Sequence, residues 1–466
     1  MTTASLLGIM TFLAGVPAVV VALFAFPQHR RLMLAVMVFA TCYVKKPFYQ
    51  EVFFVNYRGV DRGFAVTIPD LFFFGFYVHA LLGGAGRFLW LPFNSLPWFA
   101  VVAVSALSLP GSLDPMLGAF TLHKFIRCFV LYTVVVNHVR DRTDVELVLA
   151  ALAAAVLFEA FLVLWAKYVT QSVVARSVGS FRHPNTLAMY IDLILPCLLG
   201  ALLTGLVKAR NRLLFGTAIV VGFIAVLFTK SRAAMLLLPA SLGAVVVASI
   251  LARPTARKFR VLALGLLVFA VVASLAAPRL IRRFQNAPKE SAETREYFNE
   301  AARAMAGEHL FGVGLNQYSN ALAKTDFYWH VYPDKVDVDD PEEFRESVQG
   351  QSRLGTAHHI YWLSAAETGY AGLAVFLLHI GMFWGKGALL FFRESDHLFK
   401  SIYLGLSVST AVQHVHGLLE WIFRQTEVLY LYFILMGMMV AMESIRRRER
   451  AEARLAASPG GSGAYA

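Results

Sequence analysis

The chain has 466 residues, of which 58% are hydrophobic and only 15% are charged, and its mean hydropathy is +0.60. This composition excludes an ordinary soluble domain, in which about 25% of the residues are charged. The formal net charge of +12 does not predict a nucleic-acid partner, because membrane proteins collect Lys and Arg in their short cytoplasmic loops. The composition therefore predicts an all-α polytopic membrane protein.

Apolar runs recur from one end of the chain to the other and predict a bundle of about 12 to 14 transmembrane helices. Two of the runs, Leu32–Val44 and Leu96–Leu109, are short for a complete crossing. We expect one transmembrane domain over residues 1–445. The remaining residues, 446–466, are basic and then rich in Ser and Gly, and they predict a disordered tail.

One long polar segment, residues 278–357, interrupts the apolar runs. Within it, Thr294–Ala306 places apolar residues at helical spacing and predicts an amphipathic helix. The segment ends at His358-His359, where the next apolar run begins. Because backbone that is not helical must meet water or protein, we expect this loop to contact whatever the protein recognises in water.

The distribution of positive charge predicts the orientation of the helices, because cytoplasmic loops are enriched in Lys and Arg. Loops that alternate along the chain carry such residues: Arg30, Arg31, Arg87, Arg140, Arg142, Lys208, Arg210, Arg212, Arg253, Arg257, Lys258, Arg260, Arg393, Lys400 and Arg446 to Arg448. The tail is therefore expected in the cytoplasm. Residues 278–357 are expected on the other side, as one large periplasmic loop.

The cysteine content and the motif search predict neither a disulfide nor a metal site. Cys42, Cys128 and Cys197 lie in or beside apolar runs and predict buried free thiols. The sequence predicts no metal site, and no cofactor is expected. Charged side chains would have to supply the positive charge that a reaction of anionic groups needs.

Cations on the predicted periplasmic side mark a candidate site. The loop over residues 170–185 supplies Arg176 and Arg182, and a tight turn supplies Lys230 and Arg232. A turn this short holds its cations at a fixed depth, where the phosphate of a membrane lipid would lie.

Further ionisable residues fall in the outer halves of predicted spans: Lys124, Arg127, Glu159, Asp192, Glu367 and Glu420. Ionisable groups inside a bilayer are costly and face a cavity or one another. We expect either an outward-open polar chamber or internal ion pairs between helices. For Lys124, Glu159 and Asp192 both interpretations stay open.

These residue types suit one kind of chemistry. A diphosphate leaving group needs fixed positive charge as its bond to a sugar breaks, and Arg contacts two phosphate oxygens at once. The incoming hydroxyl needs a base that titrates near neutrality, which His supplies. The residues alone predict an anionic lipid-linked substrate at the outer face, and no particular sugar.

The order of four short motifs resembles that of the O-antigen ligase/O-antigen polymerase superfamily. The motifs are Gly179–Ala188 with its Arg-His-Pro-Asn turn, Ser231-Arg232-Ala233, Gly312-Val313-Gly314, and His358–Trp362 followed by Glu367. The resemblance extends over residues 120–440 and includes the large late loop.

The resemblance implies a multi-pass enzyme of the bacterial inner membrane, with a C-type glycosyltransferase-like architecture and an active site facing the periplasm. Such enzymes transfer a glycan from undecaprenyl diphosphate to an acceptor hydroxyl without a metal. The matching residues are Arg232 for the diphosphate, His358 for the base, and either Arg176 or Arg182 for a second diphosphate contact. This chain has His359 where the family usually has Asn. The further candidates for substrate contact are Arg295, His359, Glu367, Arg127 and Lys230.

Two other segments, His416–Gln425 and the early loop Lys45–Asp70, resemble the exopolysaccharide-polymerase branch of the family. They favour a repeat-unit polymerase over a ligase that transfers finished glycan to the lipid A core. An oligosaccharyltransferase acting on protein would share this chemistry. A flippase for lipid-linked sugars would share the polytopic fold, but it needs charge accessible from both faces. The expected partners are the undecaprenyl-diphosphate-linked donor, a glycan or lipid A-core acceptor, membrane lipids and a chain-length regulator.

Overall fold

The computed structural model describes residues 3–44, 49–52, 59–84, 86, 88–170, 176–285, 289–325, 327 and 355–456. The apolar runs form α-helices, as expected for backbone that must satisfy its own hydrogen bonds inside a membrane. Fifteen α-helices occupy the described part of the chain: α1 (Thr3–Ala25), α2 (Arg30–Phe39), α3 (Ile68–Leu81), α4 (Ser95–Leu107), α5 (Pro115–His138), α6 (Arg142–Tyr168), α7 (Pro184–Thr204), α8 (Ala209–Thr229), α9 (Arg232–Ala252), α10 (Ala256–Gln285), α11 (Lys289–Glu308), α12 (Tyr318–Lys324), α13 (Ile360–Arg393), α14 (His397–His416) and α15 (Thr426–Ala456).

The all-α polytopic membrane fold is confirmed. Within the described residues, eight helices are long and apolar enough to cross a membrane: α1, α5, α6, α7, α8, α9, α13 and α15. Helices α3 and α4 are apolar but shorter. The two runs singled out as short form α2, with ten residues, and α4, with thirteen. The total of about 12 to 14 spans stays a prediction.

Strand structure is minor. In the described part of the chain, β1 (Tyr49–Val52) and β2 (Gly63–Val66) form one antiparallel pair, in which Tyr49 lies opposite Val66. This hairpin belongs to the early loop and directly precedes α3. Its importance is its position, because residues around β2 contact α5 and line a cavity described below.

Helices α7 and α15 form the centre of the bundle. The most apolar stretch of α7 is 94% buried and that of α15 is 89% buried. Helix α7 packs against α8, α9 and α14, and α15 packs against α5. A Cβ atom at Gly405 in α14 would lie 2.6 Å from the carbonyl oxygen of Pro196 in α7, so only glycine permits this close crossing. As predicted, Cys42, Cys128 and Cys197 are buried and free.

The loops predicted to be cytoplasmic meet at one end of the bundle. Asp144, which is fully buried, accepts hydrogen bonds from Arg30 at 2.8 Å and from Arg31 at 2.8 Å. Arg142 pairs with Glu449 at 2.7 Å. Three segments that are far apart in the chain therefore share one end, as the distribution of charge requires.

The predicted tail begins as a helix. Helix α15 continues to Ala456, past the predicted boundary at residue 446. The reason is charge pairing with the turn after α13, because Arg446 and Arg450 lie 3.1 and 2.9 Å from the carboxylate of Glu394. The disorder predicted for residues 446–456 is therefore wrong, and residues 457–466 lie outside the described part of the chain.

The predicted periplasmic loop is also partly helical. Helix α10 continues to Gln285 and so enters the segment that was expected to begin at residue 278. Helix α11 confirms the amphipathic helix predicted at Thr294–Ala306. Its Phe298 and Met305 are buried, and it packs against α13. Residues 328–354 of the loop lie outside the described residues.

The substitution Asp144→Asn tests the charge cluster of Asp144, Arg30 and Arg31. We expect the free energy of unfolding to fall by about 3 kcal/mol, because removal of the charge leaves Arg30 without its buried counter-charge. Thermal melting of the purified protein measures the change. Asp141→Asn is the matched control, since Asp141 is 49% exposed in its pair with Arg31 and Asn caps a helix as well as Asp does. Equal melting temperatures of the two variants would contradict the inference that Asp144 is a buried counter-charge.

The orientation is tested at the two ends of α8, where Arg210 and Lys230 are both exposed. In intact cells, a membrane-impermeant maleimide should label Lys230→Cys and leave Arg210→Cys unlabelled until the membrane is opened. The three native cysteines are buried and should give little background. Labelling of Arg210→Cys in intact cells would show that the orientation is inverted.

Candidate active site

The two adjacent histidines before α13 have different contacts. The backbone N–H of Trp362 donates to Nδ1 of His359 at 3.3 Å, so that His359 is the N-cap of α13. Burial lowers the pKa of His359, which keeps the ring neutral and able to accept this bond. His358 instead places its Nδ1 3.2 Å from Oε2 of Glu420. The capping contact belongs to His359, whereas His358 contacts Glu420.

Backbone contacts fix the position of His358. The N–H of Ile360 donates to the carbonyl oxygen of Gly417 at 2.9 Å, which holds the start of α13 against the end of α14. On the other side, Oγ of Ser319 in α12 donates to the carbonyl oxygen of Gly355 at 2.9 Å. These contacts bring His358 beside the segment that follows α14.

Glu420 lies in that segment and is the central acceptor of the site. Its side chain is only 3% exposed. Nη2 of Arg295 donates to its Oε1 at 3.1 Å, and Nδ2 of Asn185 donates to the same oxygen. Burial alone would raise the pKa of Glu420, but the hydrogen bond from His358 and the charges of His358 and Arg295 lower it to about 2. Glu420 is therefore a carboxylate at neutral pH.

Asn185 connects Glu420 to the loop before α7. The helix begins at Pro184, and the N–H of Asn185 donates to Nδ1 of its N-cap, His183, at 3.2 Å. This start directs the Asn185 side chain to the site. Its Oδ1 accepts a hydrogen bond of 2.6 Å from Nη2 of Arg176. The Pro-Asn turn thus joins Arg176 to the carboxylate that holds His358.

The turn between α8 and α9 adjoins the same network. Nε of Arg176 donates to the carbonyl oxygen of Thr229 at 2.9 Å. Lys230 ends α8 in the left-handed conformation, with φ 52°, so that the chain reverses and α9 begins at Arg232. Within the described residues the guanidinium of Arg232 has no hydrogen bond or ion pair. That Arg232 and His358 open into one shared pocket stays a prediction.

The Gly312-Val313-Gly314 motif supports α13 from outside. The N–H of Val313 donates to the carbonyl oxygen of Ala366 at 2.8 Å, and the N–H of Gly314 donates to that of Glu367 at 3.1 Å. These carbonyls are available because Gly369, with φ 68°, interrupts the helix there. The motif therefore has a structural explanation.

Most ionisable residues of the predicted outer halves have partners. Three form buried ion pairs, Lys124 with Asp61 (2.6 Å), Arg127 with Asp70 (3.1 Å) and Glu367 with Arg424 (2.6 Å). Glu159 accepts a hydrogen bond of 2.6 Å from Oγ of Ser180, and Asp192 lies 3.8 Å from the ring of His416. Lys124 is therefore paired internally but also lines the cavity described next, whereas Glu159 contacts a neutral hydroxyl. Neither carboxylate oxygen of Asp192 has a hydrogen-bond partner within the described residues.

A cavity of about 160 Å³ lies beside these pairs. Arg127 and Arg182 both line it, whereas His358, Arg176, Arg232 and Arg295 are not among its lining residues. The structure therefore separates the two arginines that the sequence left as alternatives: Arg176 belongs to the Glu420 network and Arg182 to the cavity.

Sequence reasoning did not identify Glu420 or Asn185 as site residues. In the sequence, Glu420 stands out only as an ionisable residue in the outer half of a predicted span, and Asn185 only as part of a turn. The three residues that contact the Glu420 carboxylate lie 62, 125 and 235 positions away from it in the chain. The one available signal was that both residues lie inside segments that resemble the family.

The sequence profile of a family described as O-Antigen ligase matches residues 217–377. That segment contains Ser231-Arg232, Gly312–Gly314 and His358–Trp362, which are three of the four motifs. The match over these residues supports the O-antigen ligase/O-antigen polymerase superfamily. No curated protein matches the chain. The family indicates a multi-pass membrane enzyme that carries out glycan transfer of the ligase or polymerase type, with a lipid-linked glycan and an acceptor as substrates.

The substitution Glu420→Gln tests the carboxylate at the centre of the site. The folded-state pKa of Glu420 is lowered, so its contribution to stability is present above the ordinary carboxyl pKa of 4.5 and is lost as the pH falls towards about 2. We therefore expect Glu420→Gln to melt at a lower temperature than the wild type at neutral pH. The difference should shrink as the pH falls below 4.5.

Glu296→Gln on α11 is the control for this measurement. Glu296 pairs with Arg303 at 2.6 Å, but both side chains are largely exposed, and exposed pairs contribute little to stability. This variant should have the same melting temperature as the wild type at every pH. A difference between Glu420→Gln and wild type that grows on acidification would contradict an ionised Glu420.

Proposed function

We propose that the protein is a metal-independent glycosyltransferase that polymerises glycan repeat units at the periplasmic face of the inner membrane. The donor would be a repeat unit on undecaprenyl diphosphate, and the acceptor a sugar hydroxyl of an O-antigen or exopolysaccharide. The observation that carries the proposal is the contact of 3.2 Å between Nδ1 of His358 and the buried carboxylate of Glu420. A carboxylate on Nδ1 holds the proton there and leaves the lone pair of Nε2 for a substrate.

In the proposed reaction, Nε2 of His358 takes the proton of the acceptor hydroxyl. At the same time, the hydroxyl oxygen forms a bond to the anomeric carbon of the donor. The bond from that carbon to the diphosphate oxygen breaks, and undecaprenyl diphosphate leaves with the electron pair. Glu420 stabilises the imidazolium that forms. Arg232 and Arg176 would stabilise the growing negative charge on the diphosphate, because a guanidinium contacts two phosphate oxygens at once.

Arg295 is the third cation of this arrangement. Its Nη2 donates to Glu420 at 3.1 Å while its side chain remains 33% exposed, so part of the guanidinium can also reach a substrate. Lys230 would add positive charge at the rim of the turn. We assign no substrate contact to His359 or Glu367, because the first caps α13 and the second pairs with Arg424.

Polymerisation is favoured over ligation to the lipid A core by the meeting of two segments. Nζ of Lys124 lies 2.6 Å from the carboxylate of Asp61, in the early loop, and 2.7 Å from the carbonyl oxygen of Arg424, in the late segment. These are the two segments that resemble exopolysaccharide polymerases, and they adjoin the candidate site. Cations at the opposite end, such as Arg142 and Arg446, are paired with carboxylates, which supports a transferase over a flippase.

The first test separates the base from the phosphate ligand. His358→Ala should lower turnover by about 10²–10⁴-fold and leave donor binding nearly intact, because the imidazole acts only as the bond forms. Arg232→Lys should weaken donor binding, because an ammonium is a point charge and cannot donate the two parallel hydrogen bonds of a guanidinium. The assay is growth of lipid-linked polymer in membrane vesicles supplied with the repeat-unit donor, beside a donor-binding measurement.

His359→Asn is the matched control, since Asn is a good N-cap and is the residue that the family usually has there. This variant should keep its activity. Full activity of His358→Ala together with loss of activity in His359→Asn would show that His359 is the base. Full activity in both variants would exclude a histidine base, and transfer to lipid A core without chain growth would favour the ligase.

A further inference from the structure

Another cavity lies at the end of the bundle that holds the loops predicted to be cytoplasmic. It has a volume of about 660 Å³. Its walls are the ends of α7, α9 and α13 and the starts of α10 and α14. Helix α7 extends over 21 residues between the candidate active site and this cavity, a length of about 30 Å. A ligand bound here would therefore not contact His358, and the cavity lies outside the proposed reaction.

Two basic side chains of the cavity have no counter-charge within the described residues. Lys258, at the start of α10, is only 7% exposed, and its Nζ donates to the backbone carbonyl oxygens of Ser249 at 2.7 Å and Arg253 at 2.8 Å. The guanidinium of Arg257 has no hydrogen bond or ion pair in the described part of the chain. Every residue that lines the cavity lies in a segment that the structure describes. Because a buried cation without a counter-charge is unfavourable, an anion in the cavity would stabilise both side chains.

Arg257 is held at the C-terminal end of α7. Gly205 ends that helix with φ 75°, and a Cβ atom there would collide with Nη1 of Arg257. The negative end of the helix dipole favours a cation at this position. The guanidinium is thus placed against α7 while its N–H groups remain available to a ligand.

A buried hydroxyl lines the same cavity. Ser249 in α9 is 3% exposed, and its Oγ has no hydrogen-bond partner among the described residues. A buried polar atom normally has a partner. An anion that pairs with Lys258 would lie beside Ser249, whose backbone Lys258 already contacts, and its oxygen atoms would accept the hydrogen bond of the hydroxyl.

The protein directs its nearby carboxylate to other cations. Glu394 lines the cavity, but it pairs with Arg446 and Arg450 of α15 at 3.1 and 2.9 Å. Residues 457–466, which follow α15, contain no Asp or Glu. The counter-charge for Arg257 and Lys258 is therefore expected from a ligand.

The remaining walls are apolar and adjoin a surface that faces lipid. Leu203 and Phe391 line the cavity, and both belong to an apolar cluster shared by α7, α9, α10 and α14. Residues 263–271 of α10 are apolar and exposed, so in a membrane they meet acyl chains. A soluble anion needs no such surface, whereas a phospholipid needs both a basic site and an apolar one.

We propose that this cavity binds the headgroup phosphate of an anionic phospholipid, with Arg257 and Lys258 as its contacts and its acyl chains against α10. Basic pockets between spanning helices at the cytoplasmic side recognise anionic head groups. The volume of about 660 Å³ falls within the ~300–1,000 Å³ of small-molecule sites. Lys400 of α14 also lines the cavity, so the lipid links the start of α10 to α14.

The test counts the phospholipids bound to the full-length protein by native mass spectrometry, after titration in detergent. The probes are dioleoylphosphatidylglycerol, which is anionic, dioleoylphosphatidylcholine, whose net charge is zero, and glycerophosphoglycerol, which is the anionic headgroup without acyl chains. The wild type should bind the phosphatidylglycerol most tightly. Arg257→Gln should weaken that binding by about tenfold, since it removes a charged hydrogen bond. Lys400→Gln, on the α14 side of the cavity, should weaken it in the same direction.

Arg260→Gln is the matched control for net charge. Arg260 lies on the same helix and is exposed, but it is not among the lining residues, so this variant should bind the phosphatidylglycerol as the wild type does. Equal weakening in Arg257→Gln and Arg260→Gln would overturn the proposal, because it would show attraction to the net charge of the surface. So would equal affinity of the wild type for the two phospholipids. Binding of glycerophosphoglycerol as tight as that of the intact lipid would identify a site for a soluble anion instead.

Thermal melting separates loss of the lipid site from a folding defect. Because Arg257 has no hydrogen bond or ion pair within the described residues, Arg257→Gln should melt at the wild-type temperature in detergent that contains no anionic lipid. Added phosphatidylglycerol should raise the melting temperature of the wild type and of Arg260→Gln, since a ligand of the folded state stabilises it. The rise should be lost in Arg257→Gln, and an equal rise in all three proteins would contradict the proposed site.

Discussion

A buried carboxylate has to be surrounded by donors, and this constraint organises the candidate active site. Glu420 lies at the end of an apolar helix bundle, where an unpaired charge would be very costly. Its donors come from Asn185, Arg295 and His358, which belong to three separate parts of the chain. Satisfying one charge therefore brings the starts of α7 and α13 and the helix α11 to the same place.

The same constraint operates at the opposite end of the bundle, with a different result. Asp144 is surrounded by arginines, and Glu394 accepts from Arg446 and Arg450. Among the described residues, the side chains that form these pairs are carboxylates and guanidinium groups, which hold the helices together. The Glu420 cluster contains an imidazole whose side chain is 29% exposed. The proposed reaction uses this combination of a buried carboxylate and an accessible ring.

The helices could be predicted from the sequence, because they depend on short-range pattern, whereas the convergence of the candidate residues on one site stays a prediction. Apolar runs gave the spans, the spacing of Phe298 and Met305 gave the helix in the late loop, and local motifs marked Arg232 and His358. The pairing of charges could not be predicted, because it depends on contacts between distant residues. Sequence alone could not choose between Arg176 and Arg182, which are six positions apart in one loop. Their separation follows from Asn185, which reaches the first and not the second. The helical start of the tail was missed for the same reason, since it requires the distant Glu394.

The two adjacent histidines meet two different requirements, which are the capping of α13 and the supply of the proposed base. A helix that begins inside protein needs a side chain to accept the free N–H groups of its first turn. His359 meets that need for α13, as the usual Asn of the family would. His358, one residue earlier, then lies in front of the first turn of α13, at the positive end of the helix dipole. A base that must accept a proton there needs a compensating negative charge close by. Glu420 provides that charge from within hydrogen-bond distance, and its own burial keeps the interaction from being screened by water.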